Sequence, residues 1–213
     1  MTPTVLIPLG YHCNITYLTQ QLGIKTETGL FEWLESKKLE YITEVINSIR
    51  HAIDPEIVQG TDNYIYLLHT HLYTFHYTID AYRTIFKRRA QRFLDQIKGA
   101  KNILFVRINP YVAEDTTAQE IANFCAAIRA INCNASIKFL LITTIFRDEC
   151  PEPLYPTDIL KDIDFHHRIF HYEDCASDPY LRNNPLIAQT FLNYLQDLGH
   201  NPVIHNRRFT DND

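Results

Sequence analysis

Cys13 stands three residues after Gly10, where the apolar run Val5-Leu6-Ile7-Pro8-Leu9 stops and a segment marked by Ile15, Leu18 and Leu22 begins. If that segment is a helix, the thiol lies beside its N-terminus, where unpaired N–H groups and the helix dipole favour a thiolate. Such a thiolate could attack a carbonyl, with backbone N–H groups around it as oxyanion donors. A thiol nucleophile needs a base, usually histidine. His12 is adjacent in sequence, and adjacent side chains diverge, so the base has to come from elsewhere. His69 and His71 share one face of a strand by alternation, and His76 falls on the other. A second group, His166, His167 and His171, precedes Glu173, Asp174 and Asp178. The same residue types have plainer uses: a free cysteine packs as a small hydrophobe, and a histidine can simply be packed or exposed. His69 and His71 could also face one metal ion with Asp62 or Asp80, but the spacing is not diagnostic. No metal or cofactor is expected.

The elements that must position these groups follow from periodicity. Residues 4 to 9 read as a buried strand and 14 to 22 as a helix closed by Gly23. Leu39, Ile42, Val45, Ile46 and Ile49 predict a helix over 38–50, and Tyr64 to Tyr77 reads as one or two strands. Asp80 is the expected N-cap of a helix through Lys98, with Tyr82, Ile85, Phe86, Phe93, Leu94 and Ile97 on one face. Arg83, Lys87, Arg88, Arg89 and Arg92 fall on its other face, either as a solvated surface or as a cradle for phosphate or carboxylate. Strands at 102–108, 137–145 and 168–172 alternate with a helix over 116–131, capped by Thr116 or Asp115, and with a terminal helix after Pro185. Apolar strands alternating with helices predict an α/β fold in one domain over 1–213, its mostly parallel central sheet flanked by helices. The tail from about residue 207 is polar and expected to fray.

Composition narrows the functions. The chain has 213 residues, 46% hydrophobic and 21% charged, which suits a globular domain with a sizeable core. A formal net charge of -5 speaks against a dedicated nucleic-acid binder. No stretch reads as a secretory signal or a membrane span. The five cysteines are odd in number and scattered, with no CxxC pair. That pattern favours reduced thiols in the cytoplasm over disulfides or structural zinc.

Three motifs together carry a resemblance: Pro8-Leu9-Gly10-Tyr11-His12-Cys13-Asn14, then Leu22-Gly23-Ile24, then Gly29-Leu30-Phe31-Glu32-Trp33-Leu34. With Lys87-Arg88-Arg89-Ala90-Gln91-Arg92-Phe93 and Leu104-Phe105-Val106-Arg107, they resemble a bacterial and viral family of unknown function whose members are catalogued as papain-like cysteine peptidases. The likeness covers the first half of the chain; Pro8 replaces the family's serine and Glu32 its aspartate. It implies Cys13 as nucleophile, His71 or His69 as base, Glu32 as a further catalytic residue and Arg107 as a substrate-binding residue. Gly10, Tyr11, His12, Trp33 and Arg89 are expected to line the substrate. A papain fold would put the histidine on an antiparallel sheet, whereas the strand pattern favours a Rossmann-like parallel arrangement. The first functional expectation is a thiol hydrolase or acyltransferase acting on a small-molecule, glycan or peptide substrate. The second is a glycosyl- or other group-transferase whose nucleotide-activated donor is held by arginines, and the third is a non-catalytic binding module.

Overall fold

The structure is a computed structural model that describes residues 4–10, 14–24, 28–60, 64–67, 72–74, 77–110, 116–145, 155–171, 185–200 and 202. Its larger sheet has strands β1 (Thr4–Leu9), β5 (Asn102–Pro110), β6 (Ser136–Ile145) and β7 (Asp164–His171), side by side in that order. All neighbouring pairs are parallel. A smaller antiparallel sheet, β2 (Ile57–Gln59), β3 (Ile65–Leu67) and β4 (Leu72–Thr74), lies between the first and second parallel strands in sequence. The helices are α1 (Asn14–Gln21), α2 (Leu39–Arg50), α3 (Ile79–Gly99), α4 (Ala118–Arg129), α5 (Thr157–Leu160) and α6 (Pro185–Asp197). This is the expected α/β architecture, with helices on both faces of a parallel sheet.

Strand alternation decides which helix covers which face. Ile103, Phe105, Ile137, Phe139 and Leu141 pack with α2, α3, α4 and the small sheet. Leu104, Val106, Ile108, Leu140 and Ile142 point the other way and pack with α1 and α6. A strand apolar on both faces is stable only when both are covered. Each large side chain buried this way contributes about 1.5–3 kcal/mol.

The helix ends show where local chemistry departs from expectation. The α3 N-cap is Thr78, without a side-chain cap bond, and Asp80 sits in the first turn, where its charge meets the positive end of the dipole. The α4 N-cap is Thr117: its Oγ1 accepts from the Glu120 N–H at 3.2 Å, and Glu120 Oε2 accepts from the Thr117 N–H at 2.7 Å. Only the residue three before a glutamate can close that reciprocal pair, which sets Thr117 above Thr116. Strand β2 and helix α5 are too short to leave a periodic signal. Strand β7 starts at Asp164, ahead of the expected 168, because Lys138↔Asp164 begins the ladder with β6.

Three helices end in the same way. Ile24 N–H bonds Thr19 O and Gly23 N–H bonds Gln20 O, while His200 and Gly199 repeat the pattern on Leu195 and Gln196. Both glycines have positive φ, the left-handed turn that lacks a Cβ penalty only for glycine. After α2, Ile53 and Ala52 make the same bonds to Ser48 and Ile49, but Ala52 holds φ at 58° with a side chain in place. Ala52→Gly is therefore expected to stabilise the fold by about 0.5–1 kcal/mol, read as a raised urea midpoint at unchanged slope. A neutral or lowered midpoint would mean that α2 does not end in this turn.

At the end of α6, His200 is buried and its Nε2 has no hydrogen-bond partner. Burial lowers its pKa from the usual 6.5. The unfolded chain then takes up a proton before the folded one does, so this stability is present above about pH 6.5 and is lost as pH falls through the folded value. His200→Gln should flatten the fall in urea midpoint between pH 7 and pH 5.5; an unchanged fall would assign the acid sensitivity elsewhere.

Candidate functional site

On one face of β5 the side chains run Ile103, Phe105, Arg107, Asn109, so an apolar stripe turns polar at the strand's C-terminal end. In a parallel α/β sheet that edge is where ligand sites form. Arg107 is fully buried there. Its Nε donates to Asn109 Oδ1 and Thr116 Oγ1, both at 3.1 Å. Nη1 donates to Ser36 Oγ at 3.0 Å and Gly10 O at 3.3 Å, and Nη2 to Ser36 O at 2.7 Å and Lys37 O at 3.1 Å. A guanidinium has five N–H groups, and these bonds use each nitrogen. The donors of Arg107, a residue expected to line the substrate, tie together the end of β1, the segment before α2, the end of β5 and the entrance to α4.

Ser36 is the second fastening. Its hydroxyl donates to the Gly10 carbonyl, so Gly10 receives both Ser36 and Arg107. The residue before it, Glu35, forms an isolated antiparallel bridge with Tyr73 of β4: Glu35 N–H donates to Tyr73 O at 2.8 Å, and Tyr73 N–H returns to Glu35 O at 3.3 Å. Burial first, and then the Glu35 carboxylate, hold the Tyr73 phenol above its ordinary pKa.

The turn leading into this segment carries the Phe-Glu-Trp motif. Glu32 is buried, and its Oε1 accepts from the Gly29 N–H at 2.9 Å, closing the turn. Phe31 meets Phe93 of α3 edge to face at 5.5 Å, and Arg92 donates to the Thr28 carbonyl. Trp33 has φ of 62°, a left-handed conformation that is costly for a bulky residue, and its ring meets Tyr17 of α1 edge to face at 5.3 Å. Residues held in such conformations cluster at functional sites.

Helix α1 begins at Asn14, directly after Cys13 in the chain. In its first turn, Asn14 Oδ1 and Thr16 Oγ1 are buried without hydrogen-bond partners. Buried polar atoms are normally satisfied, so two orphans in one turn mark a place where the fold is not closed on itself. Tyr11, His12, Cys13, His69, His71 and His76 lie outside the described residues, as do Glu173, Asp174 and Asp178. Among the expected site residues, Gly10, Glu32, Trp33 and Arg107 belong to the assembly of β1, α1 and the segment before α2. Arg89 lies on the buried face of α3.

Two histidines of β7, His166 and His167, have other partners. His166 Nε2 is 2.7 Å from Asp164 Oδ1, and His167 Nε2 is 3.0 Å from Thr143 Oγ1 with the Tyr155 ring edge-on at 5.2 Å. Burial pushes the Tyr155 phenol up to about 12. Two surface clefts, of about 490 Å³ between α2 and α4 and about 450 Å³ beside the start of α3, are lined by none of the expected site residues. Among the described residues no group of three metal-ligating side chains comes together. No described helix is long and apolar enough to cross a membrane.

Sequence reasoning missed Ser36, Asn109 and Thr116. Asn109 was the readable one, since two polar residues on the β5 face that starts with Ile103 and Phe105 break an apolar alternation. Ser36 and Thr116 sit in loops, where residue type alone carries no positional signal. Set against protein-family models, curated proteins and solved structures, the chain matches none of them.

Proposed function

We propose that the protein is a thiol-dependent hydrolase or acyltransferase in which Cys13 is the nucleophile and His71 or His69 the base. One observation carries this reading. Glu35 and Ser36 are consecutive residues, and one pairs with Tyr73 while the other holds Gly10. Gly10 is three residues before Cys13 in the chain and Tyr73 two after His71. The chain segments that lead to the thiol and to the histidine are thus fastened to the same short strap. Cys13 also precedes the first residue of α1, where N–H groups and the dipole favour a thiolate and can receive an oxyanion.

The expected arginine-held nucleotide donor finds no free nitrogen at Arg107, each of which already donates to a protein acceptor. The thiol reading requires reduced cysteines, as in the cytoplasm, and both Cys125 and Cys133 are free thiols. They also serve as internal controls. Burial pushes the Cys125 thiol up to about 12, so it stays protonated and unreactive in the folded chain, whereas Cys133 is exposed. At pH 6.5, iodoacetamide followed by peptide mapping should label Cys13 at least about tenfold faster than Cys133, with Cys125 unlabelled, because a depressed pKa raises the thiolate fraction. Equal rates at Cys13 and Cys133 would remove the basis for a nucleophile.

A further inference from the structure

Arg89 occupies the buried stripe of α3, in sequence with Tyr82, Phe86 and Phe93, and is only 3% exposed. A guanidinium stays charged at any pH a folded protein meets, and a buried charge left unmatched is strongly unfavourable. Three neighbouring cations on the helix are met: Lys87 by Asp54 at 2.8 Å, Arg83 by Asp80 and by the Ile57 carbonyl at 3.1 Å, Arg92 by the Thr28 carbonyl. Arg89 is not. Its Nη2 donates to the Tyr77 phenol oxygen at 2.9 Å, and its guanidinium carbon lies 5.4 Å from the centre of that ring. Its Nε is buried with no hydrogen-bond partner, and among the described residues no carboxylate lies within ion-pair distance.

A second orphan adjoins it. Tyr82 is 1% exposed, its phenol oxygen has no partner, and its ring stacks on Tyr77 at 5.7 Å between centroids. Tyr77 therefore touches both. Burial raises the Tyr82 phenol pKa, and the positive charge of Arg89 acts against that rise. The Arg89 Nε–H and the Tyr82 O–H are thus both buried and unpartnered beside a positive charge. A water molecule could take up the hydrogen bonds but would leave the charge unmatched, and a cation would add to it. The missing group is an anion that accepts hydrogen bonds.

We propose that Arg89, Tyr82 and Tyr77 form a binding site for a small oxyanion, a phosphate group or a carboxylate, held by the Arg89 Nε–H and the Tyr82 hydroxyl. The site does not depend on the chemistry of Cys13, and thiol labelling tests that chemistry separately.

Thermal unfolding of the full chain at pH 7 tests the site, with inorganic phosphate, acetate or chloride added at matched ionic strength. A ligand that binds only the folded state raises the midpoint in a saturable way, whereas general salt exclusion does not saturate. The expected result is a saturable rise of about 3 °C or more over chloride in one of the two oxyanions. Phosphate acting alone identifies a phosphate group, and acetate alone a carboxylate. Arg89→Met should abolish the rise. Tyr82→Phe removes a single oxygen that has no hydrogen-bond partner in the fold and should weaken half-saturation roughly five- to tenfold, the worth of one hydrogen bond. Should Arg89→Met not fold, Tyr82→Phe decides alone. Equal midpoints in all three salts, a rise that never saturates, or an unchanged response in Tyr82→Phe would overturn the site.

Discussion

Replacing Arg107 with methionine is expected to destabilise the fold by about 3–5 kcal/mol, the usual cost of breaking a buried charged network by removing one partner. The loss divides unevenly among the acceptors. Gly10 O keeps the Ser36 hydroxyl, and Asn109 and Thr116 keep each other at 3.0 Å. The Ser36 and Lys37 carbonyls lose the guanidinium outright, and Ser36 is buried. A buried acceptor left unmet costs about 1–3 kcal/mol, and the untied entrance to α4 and end of β1 add to it. For a chain of this size each 1 kcal/mol moves the melting midpoint by about 2–4 °C, so a fall of roughly 6–20 °C is expected. Arg107→Lys should recover less than half of it, because one ammonium cannot reach acceptors that surround a planar fork. A methionine variant within 1 kcal/mol of wild type in urea would show that Arg107 is not the tie described and would reopen it as a ligand for substrate.

The two buried arginines show how far sequence carries and where it stops. The α3 stripe is Tyr82, Phe86, Arg89, Phe93, Ile97, at helical spacings of four, three, four and four. Arg89 was expected on the face opposite the apolar stripe, as solvated surface or as part of an anion cradle, yet its position in the period is a core position. Periodicity was the better guide, and an arginine in a core slot is itself a sign of a partner. Arg107 follows the same logic on a strand, two residues beyond Phe105 on the β5 face that packs under α2 and α4. Periodicity likewise made the parallel sheet, α1, α2, α3 and α6 readable, since burial of alternating or helical stripes is what forms them. It could not reach Ser36, which owes its role to a turn that brings residue 36 against residue 10. Contacts between loops distant in sequence leave no period. The Phe-Glu-Trp motif was legible as a motif but not in its purpose: Glu32 closes its own turn, Trp33 holds a left-handed backbone against α1, and the next residues form the strap between β1 and β4.

That strap sets the expectation for the base. His71→Ala is expected to slow alkylation of Cys13 at pH 6 by about 100-fold while changing the rate at pH 9 little. A thiol paired with an imidazolium is largely thiolate at pH 6, whereas an isolated thiol of pKa about 8.5 is ionised to well under one per cent there. By pH 9 either thiol is mostly ionised, so the variants converge. His69→Ala should cost less than about tenfold at pH 6, within the range of indirect effects. The asymmetry comes from the Glu35–Tyr73 bridge, since His71 is two residues from that anchor and His69 four, and a looser tether positions a base less well. Unchanged urea midpoints in both variants separate lost pairing from lost folding. A larger loss in His69→Ala would transfer the role of base to His69. A pH–rate curve for Cys13 that rises only near 8.5 in the wild type, and moves with neither substitution, would mean that the strap aligns the two segments for packing alone and that the thiol has no catalytic partner among them.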